Sequence, residues 1–210
     1  MTAPITRRVL YASAFLLIAA AYLSPLADWG EHRSFAAHMA QHLLIGDLAA
    51  LALVLARADR LPRRVLALAL PLWIANLVFW HVPRIYEGAL HHRLVHELQH
   101  VALFVAGILL WTAILTPVLS LGARLAVVAG MMLGGLALAS VFLWWPRVLY
   151  STYADAGGFA GMSPLTDQRV GGGLMLLEGM VVGFCAAGWL IYQLLREDVT
   201  SVPEGVSPSP

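Results

Sequence analysis

This chain of 210 residues is 60% hydrophobic and only 12% charged, with a formal net charge of +1. A soluble domain carries about twice that charged fraction, so the composition indicates a membrane protein with several spans. The near-zero net charge argues against a nucleic-acid partner. The single cysteine, Cys185, excludes an internal disulfide and any metal site built from several cysteines.

Six apolar segments follow one another along the chain, and each approaches the roughly 20 residues that cross a bilayer. They are Val9–Ala27, Phe35–Ala56, Val65–Trp80, Leu94–Leu115, Leu125–Trp145 and Gly171–Leu195. Pro71 interrupts the third segment, which a kinked or tilted membrane helix tolerates. The sequence therefore predicts an all-α fold, a polytopic membrane bundle of about six transmembrane helices. It forms one domain over residues 1–196, followed by a disordered cytoplasmic tail over residues 197–210.

Arginine placement predicts the orientation of this bundle, because cytoplasmic loops are enriched in basic residues. With the N-terminus inside, eight of the 13 basic residues, all arginine, lie on the cytoplasmic side. Both termini are therefore predicted to be cytoplasmic. In this orientation all eight histidines of the chain fall on the outer side of the membrane.

Two histidine pairs, His38 with His42 and His96 with His100, stand near the outer ends of the second and fourth segments. A spacing of four residues places both rings of a pair on one helix face, as in helices that present two ligands to one metal. Imidazoles gathered within a membrane also need partners. We therefore predict a metal site built from all four histidines, or from three of them with an open position.

Two carboxylates are candidate supports for this site. Glu178 lies about two turns inside the sixth segment, at a depth similar to that of His42 and His100. A carboxylate inside a membrane is a functional candidate; it would orient a ligating imidazole or bind the metal itself. Glu97, three residues before His100, offers the same support. Asp47 points away from His38 on an ideal helix and is left out of the ligand set.

The ligand types narrow the choice of metal. Imidazole suits copper, zinc and iron. Met39 lies about 100° around the helix from His38, so it is not expected to bind the same ion. Four further methionines of the later segments are interpreted as core packing: Met131, Met132, Met175 and Met180.

Several motifs occur together in a characteristic order. They are His38-Met39-x-x-His42, Trp80-His81-x-Pro83-x-x-Tyr86, His96-Glu97-x-x-His100, Leu149-Tyr150-x-x-Tyr153 and Leu165-Thr166-Asp167-Gln168-x-x-Gly171-Gly172. In these motifs the chain resembles the multi-span membrane type of CtaG cytochrome c oxidase assembly factors. The resemblance implies a bacterial inner-membrane protein that is needed for active haem-copper oxidase and helps copper reach it. It also implies importance for His81, Asp167 and Gln168 beside the histidine pairs and Glu97.

The leading hypothesis is a non-enzymatic assembly factor that holds or delivers copper, as Cu(I) ahead of zinc or iron, at the outer face of the membrane. Its partners would be haem-copper oxidase subunits and the lipid bilayer. Asp167 would lie on a lid formed by the outer loop 146–170.

The alternatives are a membrane metalloenzyme with a histidine-box site, of the hydroxylase or desaturase class, and a zinc hydrolase. The hydrolase is considered because His96-Glu97-x-x-His100 also matches the H-E-x-x-H pattern. A haem-binding bundle is a further possibility that an optical spectrum would reveal.

Overall fold

The computed structural model describes residues 4–57, 61–156 and 161–200, with side chains described as far as Arg196. Within these residues the secondary structure is helical, and no strand occurs. The helices are α1 (Pro4–Leu23), α2 (Pro25–His32), α3 (Phe35–Leu43), a π-helix (Leu44–Ala49), α4 (Ala50–Arg57), α5 (Arg63–Leu66), α6 (Ala69–His81), α7 (Pro83–His91), α8 (Arg93–Leu115), α9 (Leu121–Trp144), α10 (Ser151–Ala154) and α11 (Pro164–Thr200).

Six segments of the described chain are long and apolar enough to cross a membrane. They are Pro4–Leu23, Phe35–Arg57, Arg63–His81, Arg93–Leu115, Leu121–Trp144 and Pro164–Arg196. The predicted all-α bundle of about six transmembrane helices is thereby confirmed. The last helix continues past the predicted domain end at residue 196 to Thr200. Residues 201–210 of the predicted tail lie outside the described residues.

The first span ends earlier than the apolar pattern predicts, and the third contains a break. The first ends at Leu23, because the Ser24 hydroxyl accepts a hydrogen bond from the Leu26 amide (3.2 Å) and Pro25 opens the next helix. In the third, the chain turns at residues 67–68 and α6 starts two residues before Pro71. A proline has no amide hydrogen to donate, so the break falls one turn upstream of it.

The last helix starts earlier than predicted, at Pro164 rather than Gly171. The Ser163 hydroxyl accepts a hydrogen bond from the Thr166 amide (3.2 Å), which caps this new start. Gly171 lies within this helix and lets α3 pass very close to it; a Cβ there would meet Phe35 ring atoms at 2.5 and 2.7 Å. The predicted outer loop 146–170 is shortened accordingly, and Asp167, predicted to lie on a lid in that loop, lies in α11 instead.

Helix α8 lies at the centre of the bundle and packs against α4, the π-helix and α6, while α11 packs against α3 and α9. The crossing of α8 with the π-helix is especially close. A Cβ on Gly107 would overlap the Gly46 carbonyl oxygen. Nearer the start of α8, the ring centroids of His96 and His100 lie 5.3 and 6.2 Å from that of His38 on α3.

Candidate metal centre

The start of helix α3 is fixed by a carboxylate from α11. Asp167 accepts hydrogen bonds from the Ser34 hydroxyl (2.6 Å) and from the amides of Phe35 (2.6 Å) and Ala36 (3.4 Å). A carboxylate at a helix N-terminus satisfies free amides and favours the helix dipole. Asp167 is 1% exposed. It therefore anchors the first turn of the helix that carries His38.

Three histidines from two helices meet directly below this anchor. His38 of α3 and His96 and His100 of α8 are all buried, and one ring nitrogen of each lies within 4.8 Å of the others. Among the described residues they are the group of histidine, cysteine or carboxylate side chains with this ligand geometry. The predicted convergence of two helix faces is therefore present.

His42, the fourth predicted ligand, adjoins this group. Its ring centroid lies 4.3 Å from that of His38 and 5.4 Å from that of His100. It is not one of the three residues whose ligand atoms lie within 4.8 Å of one another. The sequence left two arrangements open, a site of four histidines and a site of three. The geometry is closer to the second, with His42 beside the three ligands.

The ring of His100 is oriented by a short hydrogen-bond relay. The Tyr22 hydroxyl donates its hydrogen to Glu97 Oε2 (3.1 Å) and lies 3.0 Å from His100 Nδ1. Because a phenol has one hydrogen, Tyr22 must accept from His100, so Nδ1 carries the imidazole hydrogen and Nε2 carries the lone pair. Metal-binding histidines usually donate a hydrogen bond from the ring nitrogen that does not bind the metal.

His96 has a carboxylate neighbour of its own. Its Nδ1 lies 3.5 Å from Glu31 Oε1, and the Glu31 side chain is 39% exposed. The sequence did not single out Glu31 or Tyr22. Glu31 lies in the short helix α2, which the apolar pattern does not predict, and Tyr22 is one aromatic residue in an ordinary apolar span.

Several ring nitrogens in this group are buried and have no hydrogen-bond partner among the described residues. They are both nitrogens of His38 and His42 and the Nε2 atoms of His81, His96 and His100. Burying polar atoms without partners is costly, and proteins rarely do so away from functional sites. A neutral imidazole carries a hydrogen on one nitrogen and a lone pair on the other, so each of these rings can offer one nitrogen to a ligand that accepts electron pairs.

His81, predicted as a supporting residue, lies on the far side of His42. The two ring centroids are 5.9 Å apart. His81 Nδ1 donates to the Leu77 carbonyl oxygen (2.7 Å), which can only accept, so the Nε2 of a neutral ring carries the lone pair. Two of the exposed histidines, His32 and His91, hydrogen-bond backbone carbonyls of their own short helices.

Three buried tyrosines close the side of the site. The Tyr86 ring lies 5.0 Å from that of His38 and stacks on Tyr150 at 3.9 Å. The Tyr150 hydroxyl donates to the His81 carbonyl (3.0 Å), and that of Tyr153 donates to the Gly30 carbonyl (2.6 Å). Burial raises the pKa of each of these tyrosines, which keeps the hydroxyls protonated as donors.

Gln168 fixes the backbone of the segment that leads into Tyr150 and Tyr153. Its amide nitrogen donates to the Arg147 carbonyl (3.2 Å), and its amide oxygen accepts from the Leu149 amide (2.8 Å). Asp167 and Gln168 thus act one residue apart at the start of α11. Both fix backbone around the histidines, and neither shares a hydrogen bond with an imidazole in the contacts described.

Glu178 lies beside Asp47, and Trp111 Nε1 donates a hydrogen bond to Asp47 Oδ1 (2.6 Å). Asp47 lies in the π-helix, whose wider turn changes the angular position expected from an ideal α-helix. The two carboxyl groups form a separate polar pair rather than a contact to the three-histidine group.

The donor set of this centre is three neutral imidazoles with a fourth beside them. Such a set suits copper, zinc or iron, and its geometry alone does not select among them. Three ligands leave a coordination position open, as sites that exchange a ligand require.

A comparison with known protein families finds a match over most of the chain. A family model described as cytochrome c oxidase caa3 assembly factor (Caa3_CtaG) matches residues 1–197. No protein of curated function and no solved structure matches the chain.

Proposed function

We propose that this chain, which belongs to the Caa3_CtaG family of cytochrome c oxidase caa3 assembly factors, serves oxidase assembly by holding a copper ion at its histidine centre. The observation that carries the proposal is the group of His38, His96 and His100, whose ligand atoms lie within 4.8 Å of one another. The oxidase is a copper-containing partner that such a site would supply.

The open coordination position supports delivery rather than permanent storage. A cargo ion must leave the site, and transfer proceeds through an incoming ligand that takes the vacant position. We infer that the ion is Cu(I), because three neutral imidazoles add no negative charge and hold a monovalent ion without a large electrostatic penalty. The role is therefore assembly and metal delivery rather than catalysis.

The orientation of the bundle follows from the arginines. Arg57, Arg63 and Arg64 lie at the end of the bundle opposite the histidines, and basic residues favour the cytoplasmic side. In this proposal the protein lies in the bacterial inner membrane with both termini in the cytoplasm. The histidine centre then faces the outside, where it would meet the oxidase subunits.

Copper analysis of the purified protein tests the site. Wild type is compared with a His38→Ala/His96→Ala variant and with a matched control, His91→Ala/His92→Ala, which removes two exposed histidines at the junction of α7 and α8. We expect about one tightly bound copper at this centre in wild type and control, and its loss in the first variant. An absorption spectrum of the same samples should show no Soret band.

Other results would contradict the proposal. Copper that stays bound when all four predicted ligands are replaced would exclude this site. Stoichiometric iron or zinc in place of copper would favour a membrane metalloenzyme instead, with Glu97 beside the metal as the residue to test next.

A further inference from the structure

A cavity lies on the side of His42 that faces away from His38. Water-sized molecules can occupy about 90 Å³ of it, and a single buried water needs only about 10–15 Å³ by the same kind of measure. His42 and His81 line one part of this cavity, and Asp47 and Glu178 line another. It is lined by residues of α3, the π-helix, α6, α8, α9 and α11.

The two histidines bring unused lone pairs to this cavity. His42 and His81 are each 7% exposed. Both ring nitrogens of His42 and the Nε2 of His81 have no hydrogen-bond partner among the described residues. Nitrogen–metal bonds of about 2 Å allow two imidazoles whose centroids are 5.9 Å apart to bind one ion between them.

The same cavity gathers most of the methionines of the chain. Of seven methionines in the sequence, five line it: Met39, Met131, Met132, Met175 and Met180. Thioethers are soft ligands that select Cu(I) over harder cations. Methionines also fill gaps in ordinary cores, but here they surround open space that is also lined by two imidazoles with unpartnered ring nitrogens.

Two carboxyl groups, those of Asp47 and Glu178, also line this cavity. Glu178 Oε1 is buried and has no hydrogen-bond partner among the described residues. Asp47 reaches the pair from the π-helix, a rare element that occurs mainly at functional sites.

We propose that this cavity is a second Cu(I)-binding position, held by His42, His81 and cavity methionines. The inference rests on the proposed function, which it deepens, because His42 lies between the two positions. Its ring is 4.3 Å from that of His38 and 5.9 Å from that of His81. Transfer between the positions is ligand exchange at Cu(I), so it needs no oxidant or reductant.

An anaerobic Cu(I) titration with copper-edge X-ray absorption tests the second position. All samples carry Cys185→Ser, so that methionine is the remaining source of sulfur ligands. His96→Ala/His100→Ala disrupts the three-histidine group, and His81→Ala/Met175→Leu disrupts the cavity. Met162→Leu, outside the cavity lining, is the matched methionine control.

We expect wild type and control to bind a second copper equivalent and to show copper–sulfur scattering. His96→Ala/His100→Ala should lose one equivalent and keep the sulfur signal. His81→Ala/Met175→Leu should lose the sulfur signal and keep the other equivalent. Should that variant fail to fold, wild-type protein labelled with selenomethionine reports copper–selenium scattering without any substitution.

The failures of the two proposals are distinguishable. Copper bound only by nitrogen and lost in His96→Ala/His100→Ala would overturn the second position and leave the proposed function intact. A single copper equivalent in wild type, bound with sulfur ligands and retained in full in that variant, would overturn the three-histidine assignment and support the cavity. Absence of Cu(I) binding in wild type would overturn both.

Discussion

A single phenol hydrogen decides which nitrogen of His100 can bind a metal. Because Tyr22 donates to Glu97, it can only accept from His100 Nδ1, and the lone pair of the ring is therefore on Nε2. Glu97 acts on the site through this tyrosine. The carboxylate of the H-E-x-x-H pattern is thus used as a hydrogen-bond acceptor that orients a ligand.

Replacing the hydroxyl of Tyr22 should weaken copper binding. In Tyr22→Phe the His100 ring loses its acceptor and Glu97 loses its donor, and loss of such a partner lowers metal affinity about 10- to 100-fold. A competition titration with a Cu(I) chelator measures the change. Tyr11→Phe, on the same helix and exposed, should leave the affinity unchanged, and equal affinities for both variants would contradict the relay.

Asp167 acts on the site by stabilising the start of α3. Asp167→Ala leaves the Ser34 hydroxyl and the amides of Phe35 and Ala36 without their acceptor. We expect the free energy of unfolding in detergent to fall by about 1–3 kcal/mol. Asp155→Ala, at an exposed position near α10, is the control; an equal loss in both variants would show that the capping contacts contribute nothing specific.

At the scale of helices, the site depends on how closely α8 approaches the π-helix. Gly107 permits this approach, because any side chain there would overlap the Gly46 carbonyl. Gly107→Ala should push the helices apart, lower the thermal midpoint by an amount equivalent to about 1–3 kcal/mol, and weaken copper binding. Binding and unfolding are measured on the same sample.

The matched substitution is Gly188→Ala on α11, where a Cβ would meet nothing within 4 Å. It should be neutral or slightly stabilising, since alanine loses less backbone entropy than glycine. If Gly107→Ala behaved in the same way, the close crossing would not be what brings His96 and His100 to His38.

The histidine pairs could be predicted from sequence because a spacing of four residues fixes one face of a helix whatever the helix packs against. The position of Asp47 could not, since its angle was taken from an ideal α-helix and the residue lies in a π-helix. Glu178 was singled out as a carboxylate within the sixth apolar segment, and it lies within the sixth candidate span, but its position beside Asp47 depends on that same irregularity. The burial of Tyr86 and Tyr150, both 1% exposed, could not be predicted either, because it depends on how the helices pack.

At the scale of the whole molecule, every residue of the proposed copper centre lies toward one end of the bundle. The spans alternate in direction, so the first turns of α3, α8 and α11 and the last turn of α6 meet there. The cluster Arg57, Arg63 and Arg64 lies toward the opposite end. The orientation therefore decides whether the centre can meet an oxidase from the outside.

Cysteine labelling of intact cells tests this orientation. In a Cys185→Ser background, His91→Cys should react with a membrane-impermeant maleimide, and Arg64→Cys should react only after permeabilisation. Both native residues are exposed, so accessibility to the reagent is set by the membrane side. The reverse pattern would place the histidines in the cytoplasm and favour a metalloenzyme with cytoplasmic histidine boxes.

The copper content of the oxidase itself tests the central claim most directly. A strain that lacks this chain is complemented with wild type, with His96→Ala/His100→Ala, or with the neighbouring exposed pair His91→Ala/His92→Ala, at equal protein levels. We predict copper-loaded, active oxidase with wild type and the exposed-pair variant, and oxidase that contains haem but lacks copper with His96→Ala/His100→Ala. Fully copper-loaded oxidase in that last strain would contradict a copper-holding role for the three-histidine centre.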